Sequence, residues 1–294
     1  MKRISFDEVA KNNLKTGLLF LIFFGIVLGL GVLAGVLLGE PYSGIGIAFF
    51  VFLIYSLIAW FKGKNIALSA TGAQKAPEKD YKQLHNVVEE MSIAAGIPKP
   101  EVYIIEDRSM NAFATGINTD NAAVAITTGL LEQLNREELT GVIAHEIAHI
   151  KLRDTRTMLL AGVLVGSIVL LSDIIFRMAL YGGNNKDGRM QAALLAVGVV
   201  LIILAPFIGQ LIKLAISRKR EFAADAEAAT LTRNPGGLAS ALEKLTTQYK
   251  RELDNSSQAL QHMYIVGPET KSWLKNLFRT HPPTEERIKR LNQM

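Results

Sequence analysis

Cysteine is absent from all 294 residues of the chain. Its absence excludes disulfide bonds, thiol catalysis and any cysteine-ligated zinc site, and it fits a reducing compartment. Internal repeats and low-complexity segments are lacking too, so the sequence predicts no repeat architecture. Histidine is scarce, with five residues in the whole chain. A histidine-ligated metal therefore has few candidate ligands.

The chain also lacks a strong excess of one charge. Its formal net charge is +5, and the basic residues do not form a pattern interleaved with aromatic residues. We therefore predict no nucleic-acid partner and interpret the lysines and arginines as charges that flank membrane segments. Nucleic-acid binding is the weaker alternative.

Charge is almost absent from four long apolar stretches. A bilayer core about 30 Å thick requires roughly 20 apolar residues in a helix, and four stretches qualify: 14–38, 44–61, 158–180 and 192–216. The first is longer than the apolar run of a secretory signal and is followed at once by a second span, so we interpret it as a retained anchor. Asp173 and Arg177 in the third are interpreted as a local ion pair near the far interface.

The positions of lysine and arginine predict the orientation of these spans. Basic residues precede the first and third spans and follow the second and fourth. The first intervening loop has none, and the second has only Lys186 and Arg189. By the positive-inside rule, both termini and both hydrophilic blocks face the cytoplasm.

The two hydrophilic blocks show the periodicities of short helices and strands. The predicted helices cover 80–95, a segment from the Asn135–Glu138 capping box through Ile150, 218–230, a segment ending near Arg251, and one after Pro283. The predicted strands cover 101–106 and 122–127, whereas 111–116 fits either a strand or a turn. These patterns rest on apolar spacing, helix caps and Gly or Pro breaks.

Residues 145–149 read His-Glu-Ile-Ala-His within a predicted helix. Two histidines four positions apart lie on one helical face, so both imidazoles can reach one zinc ion at about 2.0–2.1 Å. Glu146 is rotated by about 100° and is placed to accept a proton from water during attack on a polarised carbonyl. The pattern predicts a hydrolase with His145 and His149 as zinc ligands and Glu146 as the general base.

A third ligand has to be a carboxylate or another histidine. Glu221 and Asp225 follow the fourth span on the same side of the membrane and share a helical face. One can ligate the metal while the other accepts a hydrogen bond from a liganding imidazole. An exposed acidic turn beside Arg218–Arg220 fits the spacing equally well. His85 and His262 are interpreted as ordinary surface residues.

Four segments resemble the membrane metallopeptidases that include the HtpX-type heat-shock proteases and the CAAX prenyl proteases. They are 111–114 (NAFA), 140–154 (TGVIAHEIAHIKLRD), 217–225 (SRKREFAAD) and 280–288 (THPPTEERI). The resemblance implies a zincin-type domain with Glu221 as the third zinc ligand and Asp225 hydrogen-bonded to a liganding imidazole. It also implies proteolysis of misfolded or damaged membrane proteins, a stress-response role, at a bacterial inner membrane.

Two further residues in these segments are candidates for substrate contacts. His281 can stabilise a developing oxyanion, or its His-Pro-Pro sequence can be a plain helix start with Thr284 as the cap. Asn111 can bind the substrate backbone beside a strand. The Arg218–Arg220 cluster is predicted to meet lipid headgroups, although one of its arginines can instead orient Asp225.

The whole sequence predicts a membrane α-helical protein of four spans with a cytoplasmic mixed α/β zincin-type metallopeptidase domain. The divisions are a membrane hairpin (1–61), a first catalytic part (62–156), a second membrane hairpin (157–216) and a second catalytic part (217–294). We predict one Zn²⁺ per chain, membrane-protein substrates and the lipid bilayer as partners, and leave the oligomeric state open. An inactive zinc scaffold is disfavoured by Glu146, and a transporter by the near absence of polar residues at mid-membrane depth.

Overall fold

The computed structural model describes residues 2–160, 188, 195–200, 218–248 and 284–294. Most of the predicted third and fourth spans (158–180 and 192–216) lies outside these residues, apart from helical residues 158–160 and 195–200. The Asp173–Arg177 pair, His262 and His281 also lie outside them.

Two long helices begin the chain, α1 (Lys2–Leu38) and α2 (Pro41–Ala70). Both are long and apolar enough to cross a membrane, with mean hydropathies of 2.6 over Thr16–Leu33 and 2.3 in α2. They pack against each other where Gly31 and Gly44 meet, because a Cβ on Gly44 would overlap the Gly31 carbonyl oxygen. Small residues of this kind allow close backbone approach between apolar helices. Helix α2 continues to Ala70, beyond the predicted end of the second span.

A four-stranded sheet follows, with the order β1-β2-β4-β3. The strands are β1 (Gln74–Lys75), β2 (Glu101–Ile105), β3 (Ala112–Asn118) and β4 (Asn121–Thr127). Strands β2 and β4 are parallel, and the other two pairs are antiparallel. The ambiguous segment 111–116 is thus mostly a strand, since pairing with β4 satisfies its backbone. Among the described residues β3 pairs on one side only and forms an edge of the sheet.

Several shorter helices in the described part of the chain accompany the sheet, and α5 is central among them. They are α3 (Lys82–Ala95), α4 (Thr128–Gln133), α5 (Arg136–Lys151), α6 (Arg218–Thr232), α7 (Pro235–Gln248) and α8 (Thr284–Leu291). Helix α5 packs against α3, α6, α7 and β3. Its predicted capping box is present, with Asn135 and Glu138 bonded reciprocally. One face of the sheet and these helices share a single apolar core.

The opposite face of the sheet packs against the membrane-proximal helices. Its core contains Phe113 from β3, Ala67 and Leu68 from α2, and Leu159 from helical residues 154–160. Thr157 in that helical segment hydrogen-bonds Thr16 of α1 at 2.9 Å between the two hydroxyl oxygens. The sheet is therefore held between the α5 layer and the ends of the apolar helices.

Candidate active site and metal centre

Helix α5 carries His145, Glu146 and His149 into the interior of the fold. All three side chains are at most 4% exposed. The helix reaches this depth because its other faces are apolar, with Val142, Ile143 and Ile147 fully buried. Gly141 lets α7 approach closely, since a Cβ there would meet the backbone of Leu238.

Glu221 of α6 joins the two histidines in a compact group. The His145 and His149 Nε2 atoms are 3.1 Å apart. The Glu221 carboxylate oxygens lie 3.7 Å from the first and 3.6 Å from the second. Ligand atoms at about 2.0–2.1 Å around a tetrahedral ion are separated by roughly 3.3 Å. Three donor atoms within 4.8 Å of one another therefore fit a single metal ion.

Each histidine meets a second carboxylate at its other ring nitrogen. His145 Nδ1 lies 3.0 Å from an Asp225 oxygen, and His149 Nδ1 is hydrogen-bonded to Asp154 at 3.0 Å. A carboxylate on Nδ1 holds the imidazole in the tautomer that presents Nε2 to a metal. The structure thus brings Asp225 to the outer side of His145. Asp154 was not among the residues predicted from the sequence.

Arg287 of α8 is a second residue that the sequence did not reveal. Its guanidinium is 1% exposed and donates to both Asp225 oxygens, from Nε at 2.9 Å and from an Nη at 2.7 Å. Its only sequence signal is the segment 280–288, where a run of charges resembles an exposed helix start. In the structure Arg287 shares the buried face of α8 with Leu291, one turn away.

The Arg218–Arg220 cluster differs from its prediction. Arg220 is 3% exposed and lies 3.5 Å from Asp154, so its predicted contact with lipid headgroups is wrong. The hypothesis that an arginine of this cluster orients Asp225 is also wrong for the side chains described, because Arg287 does so. Lys219 is exposed.

Six buried charged side chains surround the two histidines. Four carboxylates and two guanidinium groups are each at most 3% exposed: Glu146, Asp154, Glu221, Asp225, Arg220 and Arg287. When the imidazoles are neutral and all four carboxylates are ionised, as metal binding requires, these described side chains carry two formal negative charges in excess. Buried charge without compensation is strongly unfavourable, and one divalent cation balances the excess. Both the donor set and the charge therefore fit a divalent metal ion.

Burial and the neighbouring charges shift the pKa values of the site. Burial raises the pKa of Glu146 to about 7, with a further contribution from Glu221, while a hydrogen bond from the Ala114 backbone opposes the shift. Burial alone lowers the pKa of His149, but Asp154 and Glu221 outweigh it and the pKa rises to about 9. The carboxylates thus favour positive charge beside the imidazoles, which is also the condition for holding a cation.

Asn111 lies fully buried at the start of the edge strand. Its side-chain oxygen accepts a hydrogen bond from the Ala112 N–H at 2.9 Å, and its backbone N–H donates to Thr127. Within the part of the chain that the structure describes, its Nδ2 has no hydrogen-bond partner. Asn111 is not one of the three residues grouped around the candidate metal position.

Comparison with known proteins identifies the family of this chain. The model of peptidase family M48 matches residues 78–294. A protease HtpX homolog from Streptococcus gordonii is 43% identical over 98% of this chain and 99% of its own length. Another from Thermoanaerobacter pseudethanolicus is 42% identical over 100% of this chain and 99% of its own.

A solved structure shares the fold. The crystal structure of S. mikatae Ste24p matches with a TM-score of 0.54 at 18% identity, over 98% of this chain and 67% of that one. At this identity the likeness concerns the fold alone. The M48 match and the full-length relatives agree with the buried histidine and carboxylate group described above. The chain belongs to peptidase family M48 and is a membrane metalloprotease of the HtpX type.

Proposed function

We propose that the chain is a zinc-dependent endopeptidase in which His145, His149 and Glu221 hold one Zn²⁺. The observation that carries this proposal is the buried group of three donor atoms beside Glu146. Two imidazoles and one carboxylate are the usual protein ligands of a catalytic zinc, which keeps a further position open. Bound zinc supplies a Lewis acid that polarises a peptide carbonyl and acidifies water.

Glu146 is the general base of the proposed reaction. Its carboxylate takes the proton of the attacking water and then delivers it to the amide nitrogen as the C–N bond breaks. The pKa of about 7 supports this shuttle, since a base works best when its pKa lies near the operating pH. Asp225 and Asp154 keep the imidazoles oriented, and His281 remains a proposed donor to the developing oxyanion.

Strand β3 is the proposed docking edge for substrate. A hydrogen bond from the Ala114 backbone to Glu146 puts this edge strand next to the proposed base. An extended peptide can add to a strand edge through main-chain hydrogen bonds. The Asn111 Nδ2 group, at the start of the same strand, is proposed to donate to the peptide backbone.

The proposed substrates are misfolded or damaged membrane proteins, cut on the cytoplasmic side of a four-span enzyme. The lysine and arginine distribution supports this orientation, with catalytic parts at 62–156 and 217–294. The site also lies near the apolar helices. Asp154, which contacts His149, is three residues from Thr157, about 4.5 Å along a helix. Thr157 bonds Thr16, where the apolar window of α1 begins.

The test uses the full chain purified in detergent and reconstituted with a labelled membrane protein. Glu146→Gln is expected to abolish cleavage while zinc stays at one per chain by elemental analysis. Glu221→Ala is expected to lose both zinc and cleavage. Glu137→Gln is the matched control, because Glu137 is an exposed carboxylate on the same helix. Unchanged cleavage by Glu146→Gln contradicts the mechanism, and full zinc in Glu221→Ala contradicts the ligand set.

The quality-control role requires its own comparison. A stable membrane protein and a destabilised variant of it, with the same cytoplasmic loops, are offered in equal amounts in proteoliposomes. Faster cleavage of the destabilised variant is expected, because its loops reach the extended conformation more often. Equal rates for the two proteins reject selection by folding state.

A further inference from the structure

The two histidines are held by two different arginine–carboxylate pairs. On the His145 side, Arg287 makes two short hydrogen bonds to Asp225. On the His149 side, the Arg220 Nη1 lies 3.5 Å from Asp154, and the Arg220 Nε makes no hydrogen bond. The first pair has bidentate geometry, whereas the second is a looser ion pair.

The looser pair occupies a distinctive position in the chain. Asp154 is the first residue of helical segment 154–160, and Arg220 lies in the first turn of α6. The residues between them contain the predicted third and fourth spans. The pair therefore joins the points where the chain leaves the catalytic part and returns to it. Arg220 is also the neighbour of Glu221.

The backbone just after α5, where the chain leaves the catalytic part, brings Asp154 back to His149. Helix α5 ends at Lys151, and Arg153 then adopts a left-handed conformation with φ of 59°. That conformation is unusual for a residue with a side chain. It reverses the chain so that the Asp154 carboxylate, fully buried, reaches the His149 Nδ1 at 3.0 Å.

We propose that Asp154 and Arg220 form a positioning pair for His149, tying its orientation to the two ends of the membrane-inserted segment. Asp154 accepts from Nδ1 and fixes the direction of Nε2, while Arg220 fixes the position of Asp154. The pair acts on the metal only through His149. The inference rests on the proposed metal site, and its test separates the two.

The test measures metal binding by the full chain in detergent. Zinc affinity is determined by competition with a chromogenic chelator, and the visible absorption of the cobalt(II)-loaded chain reports ligand geometry. Asp154→Asn is expected to weaken zinc binding about 10- to 100-fold, the range found for partners of liganding histidines. Arg220→Met should change zinc affinity and the cobalt absorption in the same direction as Asp154→Asn. Arg220→Lys, which keeps the positive charge, should change both by less than Arg220→Met does.

The ion pair between Lys151 and Glu227 is the matched control. It joins α5, which carries His149, to α6, which carries Arg220, at 2.6 Å, and it makes no contact with either histidine among the described residues. Glu227→Gln is expected to leave zinc affinity and the cobalt spectrum unchanged. The double variant Asp154→Asn with Arg220→Met should lose less affinity than the two single losses combined, because both act through one contact.

Each remaining outcome decides between the proposals. Unchanged zinc affinity and cobalt spectra in Asp154→Asn and Arg220→Met, with a lowered melting temperature alone, overturn the positioning role. If Asp154→Asn is not recovered folded, the Arg220 variants decide by the same criterion. Glu221→Ala in parallel tests the site itself. If it also retains zinc, the proposed metal site fails; if it alone loses zinc, only the positioning pair fails.

Discussion

Arg287 donates to both carboxylate oxygens of Asp225, although 62 positions separate the two residues in the sequence. The contact joins the C-terminal helix α8 to α6, which also carries Glu221. Asp225 in turn lies against the outer nitrogen of His145. Helix α8 therefore reaches the candidate metal centre through the buried ion pairs that Arg287 makes with Asp225 and Glu221.

Arg287→Met is expected to lower the free energy of unfolding by about 3–5 kcal/mol, because it leaves the Asp225 carboxylate buried without its partner. Chemical denaturation of the detergent-solubilised chain measures the loss. Arg290→Ala is the control on the same helix. Arg290 stacks on Phe222 and pairs with Glu286 at the surface, so its loss should cost about 1 kcal/mol or less. Equal effects of the two variants would contradict a special role for Arg287.

Metal removal should destabilise the chain. Chelation removes an ion that the proposed site binds only in the folded chain, so the melting temperature is expected to fall and to recover when zinc is restored. At a free zinc concentration about 1,000 times the dissociation constant, zinc binding stabilises the folded chain by roughly 4 kcal/mol. The Glu221→Ala variant should show no further fall with chelator. If the melting temperature of the unaltered chain does not change on chelation, the result would contradict a buried metal.

Glu138 should make the fold sensitive to acid. Burial by itself raises the pKa of this carboxyl, but hydrogen bonds from Lys244, Ser240 and the Asn135 backbone outweigh it and lower the pKa below 4.5. A lowered folded-state pKa gives stability that is present above pH 4.5 and is lost as pH falls through the folded value. The stability difference between the unaltered chain and Glu138→Gln is expected to shrink on acidification.

Denaturation of both chains, from neutral pH to well below pH 4.5, measures this difference. Glu90→Gln is the control, because Glu90 pairs with Arg136 only at the surface and should have a small effect at every pH. A difference for Glu138→Gln that does not change with pH would show that the carboxylate's charge contributes nothing.

Gly44→Val is expected to separate α1 from α2. The new side chain would overlap the backbone of Gly31 and Gly35, and overpacking of this kind costs about 1–3 kcal/mol. Gly46→Val is the matched control, since a Cβ at Gly46 meets no atom within 4 Å. Thermal unfolding in detergent compares the two. Similar melting temperatures for both variants would contradict the close helix contact.

Much of the local structure was predictable from the sequence. The Asn135–Glu138 capping box and the apolar periodicity predicted α5, and the structure confirms that helix to within one residue of the predicted end. Long apolar runs predicted α1 and α2, although α2 continues through a polar stretch to Ala70 and ends just before Gly72. Strand β3 was ambiguous because its residues are small and nearly all buried, which removes the alternation that identifies a strand.

The sequence by itself determined the helix that carries His145, Glu146 and His149, because spacing of four residues on a helix depends only on local geometry. Tertiary structure alone decided which carboxylate meets which nitrogen. It placed Glu221 beside the two Nε2 atoms, and Asp225 and Asp154 on the outer side of the rings. Contacts of this kind join distant segments, and their partners follow from how the helices pack rather than from any local pattern.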